Sequence, residues 1–252
     1  MSSNAQLPQI SLHGLQRAAG ILQSVWRYYF RLYDLTAEDF FRCFPLLTYF
    51  AAFSYQTDEI VEAAQVHADG DDESKDCAKA KAFIEGIFDE YGILTPRIRQ
   101  ELNHAIEYAT LETRIVRAET ISYSDLKRVL ELRSFDFRIL HNTFLLLLNR
   151  PISEELFGLI HPIEVIVELE SDLRHYQQDV KDGKFNCYRM LIKLFGDKAP
   201  EYFQMELKSY WDLFEERLSV VSTSELRNRV LAAVAAFKQD FPITAIPDPI
   251  IE

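Results

Sequence analysis

The chain has 252 residues, of which 48% are hydrophobic and 26% are charged, and its formal net charge is −12. This composition predicts one soluble domain with a large core, and the acidic balance excludes a surface built to neutralise nucleic-acid phosphates. No apolar run is long enough to predict a membrane span, and residues 1–10 do not resemble a secretory signal. Cys43, Cys77 and Cys187 are widely spaced, which is typical of reduced thiols in a cytoplasmic protein.

Apolar residues recur at helical spacing along almost the whole chain, while glycine and proline are scarce and lie mostly between the predicted helices. This periodicity predicts an all-α, single-domain helical bundle over residues 1–252. We expect Pro45 to kink or interrupt the second helix, and residues 68–76 to form a solvated acidic loop. The predicted helices span about Leu12–Tyr33, Thr36–Val66, Cys77–Tyr91, Pro96–Ala118, Ser124–Leu148, Ser153–Asp182, Pro200–Val221 and Ser224–Phe241, followed by an extended tail over residues 242–252.

Acidic side chains occur near the end of the second predicted helix. Asp58 and Glu62 are four residues apart and share a helix face, with Glu59 beside them. Two carboxylates at this spacing can bind one Mg²⁺ ion or bridge two, because hard cations prefer oxygen ligands and retain several waters. The alternative is an ordinary hydrated acidic face. Phe50 and Phe53 precede this stretch and are candidates for the lining of an apolar cavity.

The long predicted helix around residue 170 carries a more specific array. Ser171, His175 and Asp179 follow one another at steps of four, so their side chains project from one face, with Asp172 beside them. Gly183 then ends the helix. Such a row can hold a divalent cation, although His175 could equally be an ordinary core or supporting histidine.

A third group lies between these two stretches. Arg133 and Asp136 are on adjacent helical turns, and Phe137 follows directly. Considered alone, the arginine and the aspartate would form a normal salt bridge along a helix.

In this order, the three groups resemble the motifs of class I terpene synthases. That family carries a D-D-x-x-D/E motif and a later N-D-x-x-S-x-x-x-E motif on two facing helices. Asp58-Glu59-Ile-Val-Glu62 resembles the first, and Ser171-Asp172-Leu-Arg-His175-Tyr-Gln-Gln-Asp179, followed by Gly183 and Asn186, resembles the second. Arg133, Asp136 and Phe137 resemble the diphosphate sensor, linker and effector that bacterial members place at a helix break.

The resemblance implies a class I isoprenoid synthase fold. It also implies Mg²⁺-dependent ionisation of a linear prenyl diphosphate, then cyclisation or rearrangement of the carbocation and release of diphosphate. Arg133 would bind diphosphate, Asp136 would link it to Phe137, and Phe137 would help to start ionisation; a homodimer is compatible with this reading. Three Mg²⁺ ions are expected, with the ligands Asp58, Glu59, Glu62, Ser171, His175 and Asp179 and with Asp172 supporting them. Phe50, Phe53 and Phe144 would line the substrate cavity.

Several positions differ from the family pattern. Glu59 replaces an aspartate, Ser171 an asparagine, His175 a serine and Asp179 a glutamate. Gln178 stands where a diphosphate-binding lysine is common. After Trp211, no arginine–tyrosine pair corresponds to the one that often closes the active site of the family.

Two other functions are open on the sequence alone. Glu101-Leu-Asn-His104 and Asp172-Leu-Arg-His175 each place a carboxylate and a histidine three residues apart, as in di-iron helical-bundle oxidases, and Glu59, Glu62 or Glu168 could complete such a site. The other alternative is an isoprenoid-synthase-like bundle that has lost catalysis and serves as a binding subunit.

Overall fold

Helices form every regular element among the residues that the computed structural model describes, which are 10–66, 73–118, 120–240 and 245–250. For residues 62–66 and 73–76 the description covers the backbone only. The prediction of an all-α fold is therefore confirmed for this part of the chain. The elements are α1 (Leu12–Ser24), a π-helical turn (Val25–Tyr29), α2 (Phe30–Leu32), α3 (Ala37–Val66), α4 (Glu73–Glu90), α5 (Pro96–Arg117), α6 (Tyr123–Arg133), α7 (Phe135–Leu147), α8 (Glu154–Asp182), α9 (Cys187–Phe195), a 3₁₀ turn (Gly196–Lys198), α10 (Ala199–Ser219) and α11 (Ser224–Asp240).

Side-chain caps begin several of these helices at the predicted serine or threonine. The Thr36 hydroxyl accepts from the Asp39 N–H at 3.3 Å, and the Asp39 carboxylate accepts from the Thr36 N–H at 3.0 Å. Thr95 accepts from the Ile98 N–H, and Ser153 caps α8 in the same way. Each such bond satisfies a donor that the first helical turn leaves unpaired, and these bonds fix where the helices begin.

The helix predicted over Ser124–Leu148 is instead two helices. The backbone leaves helical geometry at Ser134, which is fully buried and has φ −83° and ψ 27°. Arg133 therefore ends α6, while Asp136 and Phe137 lie in the first turn of α7. Asp136 stabilises this start, because its Oδ1 accepts from the Phe137 N–H at 2.8 Å.

Other boundaries also differ from the sequence prediction. The helix of α3 continues through Pro45 without interruption, and α4 begins at Glu73, inside the stretch expected to be a loop. Residues 67–72, which hold the rest of that predicted loop, lie outside the described residues. Helix α9 was missed: Asn186 caps it, with its side-chain oxygen accepting from the Arg189 N–H at 3.2 Å.

The helices enclose one continuous apolar core that contains rings such as Phe30, Phe88 and Phe144. Helices α1 and α3 approach closely at Gly14, where a Cβ would lie 2.9 Å from the Ala52 carbonyl oxygen.

All three cysteines are buried and none forms a disulfide. Residues 245–250 form no helix or strand and are held by bonds from Tyr188 Oη to the Pro247 carbonyl and from the Ile250 N–H to Tyr176 Oη. Within the described residues, no helix combines the length and the apolar character that a bilayer crossing requires.

Candidate functional site

Arg133 is the centre of a buried charged cluster. Its Nη1 donates to Asp172 Oδ2 at 2.6 Å, and its Nε lies 3.2 Å from Glu168 Oε2. Both carboxylates belong to α8, so this cluster joins the end of α6 to the helix that carries the second motif. Burial opposes the charged guanidinium, yet the two carboxylates hold the pKa of Arg133 well above its ordinary value. Arg133 is therefore a permanent cation in a fixed position.

One acid of this cluster, Glu168, and a neighbouring acid, Asp136, have raised pKa values. Burial raises the pKa of Glu168 to about 7, although the Arg133 charge opposes the rise. Burial likewise raises the pKa of Asp136 to about 6. Arg133 pairs with Asp172 and Glu168 rather than with Asp136, so a salt bridge between Arg133 and Asp136 is absent. Acids with raised pKa values bind added cations favourably, because a cation offsets the cost of burying their charge.

The acids of the first motif lie at the end of α3, against α1. The Arg17 guanidinium lies 3.9 Å from Asp58 Oδ2 and 4.0 Å from Glu59 Oε1, and it covers the Tyr55 ring at 4.2 Å. His13 Nε2 lies 3.1 Å from Glu59 Oε1. The side chain of Glu62 lies outside the described residues. Helix α1 thus places the Arg17 cation and the His13 ring beside the first motif, which the sequence analysis did not predict.

The pKa values of two buried tyrosines respond both to charges of the first motif and to charges in or near the Arg133 cluster. Burial raises the pKa of Tyr55, and the charges of Asp136, Glu168 and Asp58 add to the rise, while Arg17 opposes it. Burial also raises the pKa of Tyr108, which lies within electrostatic reach of both Arg133 and Asp58. Charges of α3 and of α6, α7 and α8 therefore act on the same two buried tyrosines.

The predicted row on α8 lies on one face near the C-terminal end of the helix. His175 is exposed, and its Nδ1 lies 2.9 Å from the Ser171 carbonyl oxygen and 3.3 Å from Ser171 Oγ. Asp179 is half-buried; its Oδ2 accepts from the Asn186 amide at 2.8 Å, and burial raises its pKa. These three side chains remain candidate ligands, and Asn186 orients the last of them.

Asp172 does not join this row. It is 2% exposed, and its Oδ2 accepts both from Arg133 and from the Cys187 N–H at 2.7 Å. That Asp172 supports the metal ligands stays a prediction. A carboxylate turned into the interior anchors Arg133 and the first turn of α9.

The candidate lining residues divide among three places. Phe50, Phe53 and Asp58 line a cavity between α3, α4 and α5. Phe137 lines a second cavity, bounded by the π-helical turn, α7, α8 and α11, and stacks on Tyr29 with ring centroids 6.0 Å apart. Phe144 lines neither cavity. It is fully buried and packs against other rings of the core, and its role as a lining residue stays a prediction.

The carboxylates of the two carboxylate–histidine pairs in the di-iron alternative are bonded to arginines. Glu101 Oε2 lies 3.1 Å from His104 Nδ1, but it also accepts from Arg138 Nε at 2.8 Å. Asp172 is bound to Arg133, and His175 is exposed at the surface. In the part of the chain that is described, no three His, Cys, Asp or Glu side chains form a group able to hold a metal ion. This geometry does not favour a di-iron site.

Sequence reasoning missed two residues that shape the site. Arg17 and Tyr55 carry no motif, and only their positions on facing helices bring them together. Glu168 was named only for the di-iron alternative, although it lies one turn before Asp172 on the same helix face. No family model, curated protein or solved structure matches this chain. The functional conclusion therefore depends on the motifs and on this geometry.

Proposed function

We propose that this protein is a class I terpene synthase that ionises a linear prenyl diphosphate and guides the resulting carbocation to a cyclic or rearranged product. The observation that carries the proposal is the helix break at Ser134. It separates Arg133, at the end of α6, from Asp136 and Phe137, at the start of α7. In the family that the motifs resemble, the sensor, linker and effector lie at a helix break. Helical periodicity alone had predicted an unbroken helix over Ser124–Leu148.

The second support is the arrangement of charge. Charges of the first motif and of the Arg133 cluster act on both Tyr55 and Tyr108, and acids outnumber bases among these charges. Carboxylate and hydroxyl oxygens are the ligands that Mg²⁺ prefers, and Asp58, Glu59 and Glu62 of α3 and Ser171, His175 and Asp179 of α8 are the residues that would hold it, His175 through a ring nitrogen. Bound Mg²⁺ would neutralise the negative charge that develops on the leaving diphosphate.

The protein's own residues would do the remaining work. Arg133 presents a guanidinium whose position is fixed by two carboxylates, and it would bind the diphosphate oxygens with little reorganisation. Asp136 opens α7, so a shift of Arg133 at the end of α6 would be transmitted through the break to Phe137. The apolar cavities beside these residues would exclude water, which would otherwise quench a carbocation.

The test is incubation with geranyl, farnesyl and geranylgeranyl diphosphate in the presence of Mg²⁺, with products identified by gas chromatography and mass spectrometry. We expect a hydrocarbon or terpene alcohol from at least one chain length. Asp58→Ala and Asp179→Ala should each suppress turnover, whereas Asp212→Ala, on the exposed surface of α10, should leave it unchanged. Turnover that survives both substitutions would contradict the metal assignment.

One observation favours a second candidate, a binding subunit without catalytic activity. Arg133 is already paired with two carboxylates, so less of its positive charge is available to a diphosphate. This candidate predicts no diphosphate release from any of the three substrates with Mg²⁺ or Mn²⁺. Release with either metal would exclude it.

A further inference from the structure

The start of α3 and the π-helical turn carry an exposed group of aromatic rings that the proposed active site does not use. Phe41 is 70% exposed, Phe44 39% and Trp26 37%. Their ring centroids lie 6.1, 5.5 and 5.3 Å from the centroid of the half-buried Phe40 ring, so the four form one ring cluster. Large aromatic side chains that lie side by side in water are uncommon unless another surface covers them, and the cluster therefore marks a contact surface.

The solvent side of α1 extends this surface. Leu12 is 73% exposed, Leu15 is 41% exposed, and Ala19 is also exposed. Leu12, Leu15, Ala19 and Trp26 follow one another at steps of three, four and seven residues, so they form an apolar stripe along one side of the helix. Another side of α1 packs against α3. The ring cluster and the stripe together form a continuous apolar face.

The N-terminal helices bring positive charge to this face. Residues 10–33 contain Arg17, Arg27 and Arg31 but no aspartate or glutamate, although the whole chain has a formal net charge of −12. Arg17 and Arg27 are paired with acids of other helices. Arg31 is exposed and forms no ion pair within the part of the chain that the structure describes. Its charge is therefore available to an anionic partner.

Arg42 adds a second cation on the α3 side of the ring cluster. It follows Phe41 directly and is exposed, and its Nη1 lies 4.0 Å from Asp39 Oδ1. The Thr36 hydroxyl donates to the other oxygen of Asp39 at 3.0 Å. Glu38 is an exposed acid four residues before Arg42. Arg31 and Arg42 together leave a small positive excess over Glu38 beside the rings.

We propose that this face docks on the surface of an anionic lipid bilayer. The rings and the α1 stripe would enter the boundary between headgroups and acyl chains, and Arg31 and Arg42 would contact lipid phosphates. Tryptophan, phenylalanine and leucine on one side of a helix, with arginines beside them, are the chemistry of interfacial helices. Repulsion by acids more than about 10 Å away is largely screened at physiological ionic strength. The inference goes beyond the proposed function and does not rest on it.

A second copy of the chain fits this face less well than a bilayer. From their exposed fractions, the three outer rings offer about 300 Å². A stable dimer covers about 800 Å² per partner, which Leu12 and Leu15 do not add. In a two-fold dimer the face would also meet itself, so Arg31 and Arg42 would approach their own counterparts. A bilayer provides negative charge for both arginines.

Vesicle flotation tests the docking. The vesicles contain phosphatidylcholine alone, or phosphatidylcholine mixed equally with phosphatidylglycerol, which is anionic. We expect the wild-type protein to bind the mixed vesicles, and the double variant Phe41→Ser, Phe44→Ser to bind them at least about tenfold more weakly, because it removes two inserted rings. Tyr91→Ser is the matched control: Tyr91 is 57% exposed after α4, away from the cluster, and its loss should not change binding.

Charge variants test the choice of lipid. A cation near an anionic membrane surface strengthens binding about fivefold, so Arg31→Gln and Arg42→Gln should each weaken binding to the mixed vesicles by about that factor. Glu38→Gln should strengthen it by a similar factor. Lys208→Gln, on the exposed surface of α10, should leave binding unchanged.

Fluorescence tests insertion of the rings. Trp26 and Trp211 are the two tryptophans, so Trp26 is the sole reporter in a Trp211→Phe protein. We expect its emission to shift to shorter wavelength with the mixed vesicles, because the indole enters a less polar region.

Several results would overturn the inference. They are failure of the folded wild-type protein to bind the mixed vesicles, no emission shift from Trp26, and unchanged binding in the Phe41→Ser, Phe44→Ser protein. Analytical ultracentrifugation without lipid provides one more. A wild-type dimer that the double variant dissociates would show that a second copy covers the face, and would overturn docking on a bilayer.

Discussion

The buried ion pair between Arg133 and Asp172 should make a large contribution to stability, and Asp172→Ala tests it. The substitution removes an acceptor that is 2% exposed and that serves both the Arg133 guanidinium and the Cys187 N–H. Breaking one partner of a buried pair costs about 3–5 kcal/mol, because the other charge is left buried. For a chain of this size each kcal/mol lowers Tm by about 2–4 °C, so we expect a loss of about 6–20 °C.

The assay is thermal unfolding followed by far-ultraviolet circular dichroism. Asp212→Ala is the matched control, because Asp212 forms an exposed pair with Lys208 at i,i+4 spacing that contributes only about 0.3–0.5 kcal/mol. Asp172→Asn should fall between the two, since an amide oxygen can still accept from Cys187 but leaves Arg133 less well neutralised. A Tm for Asp172→Ala as high as that of Asp212→Ala would refute the reasoning.

Three further perturbations test other parts of the structure. Gly14→Ala should lower Tm by several degrees, because the new Cβ would lie 2.9 Å from the Ala52 carbonyl oxygen; an unchanged Tm would contradict the close approach of α1 and α3. Asn186→Ala should destabilise the protein by about 0.5–2 kcal/mol through loss of the α9 cap alone, measured by urea denaturation, and a smaller effect would argue against that cap. Burial raises the pKa of Asp136 to about 6, so the unfolded chain releases this proton first and wild-type stability should fall as pH rises from about 4 to about 6. Asp136→Asn should therefore be the more stable protein above about pH 6, with the difference closing near pH 4; parallel Tm curves for the two proteins would contradict the assigned burial of Asp136.

The helical fold could be predicted because its causes are local. Apolar residues at helical spacing, the caps at Thr36, Thr95 and Ser153, and the stop at Gly183, which adopts φ +70°, all act within a few residues. The face shared by Ser171, His175 and Asp179 follows from helical spacing in the same way.

The helix break was not predicted from periodicity, although the family resemblance implies one, because its cause is tertiary; helix α9 was missed although its cap at Asn186 is a local signal. Ser134 is polar, fully buried and compatible with a helix, so nothing nearby in the sequence marks the end of α6. Asn186 is also fully buried, and its amide bonds to the Asp172 carbonyl and to Asp179 stabilise the turn before α9. Such contacts are visible only once α8 and α9 are placed side by side.

The candidate site was predictable in its motifs and not in its partners. Residue type and spacing selected Asp58 and Asp179, and the family resemblance selected Arg133, but spacing alone placed Arg133 in a salt bridge with Asp136. The structure instead pairs it with Asp172 and Glu168, which are more than thirty residues away in the chain. Phe144 was selected for a cavity on its residue type, which does not distinguish a core ring from a lining ring.

The central claim is that Asp58 of α3 and Arg133 of α6 face one site for diphosphate and Mg²⁺. Calorimetric titration of inorganic diphosphate, with and without Mg²⁺, measures this directly and needs no knowledge of the substrate. The account predicts Mg²⁺-dependent binding to the wild-type protein, weakened at least tenfold by Asp58→Asn and by Arg133→Lys and unaffected by Asp212→Asn. Binding that is independent of Mg²⁺, or that is equally strong in the Asp58 and Arg133 variants, would contradict it.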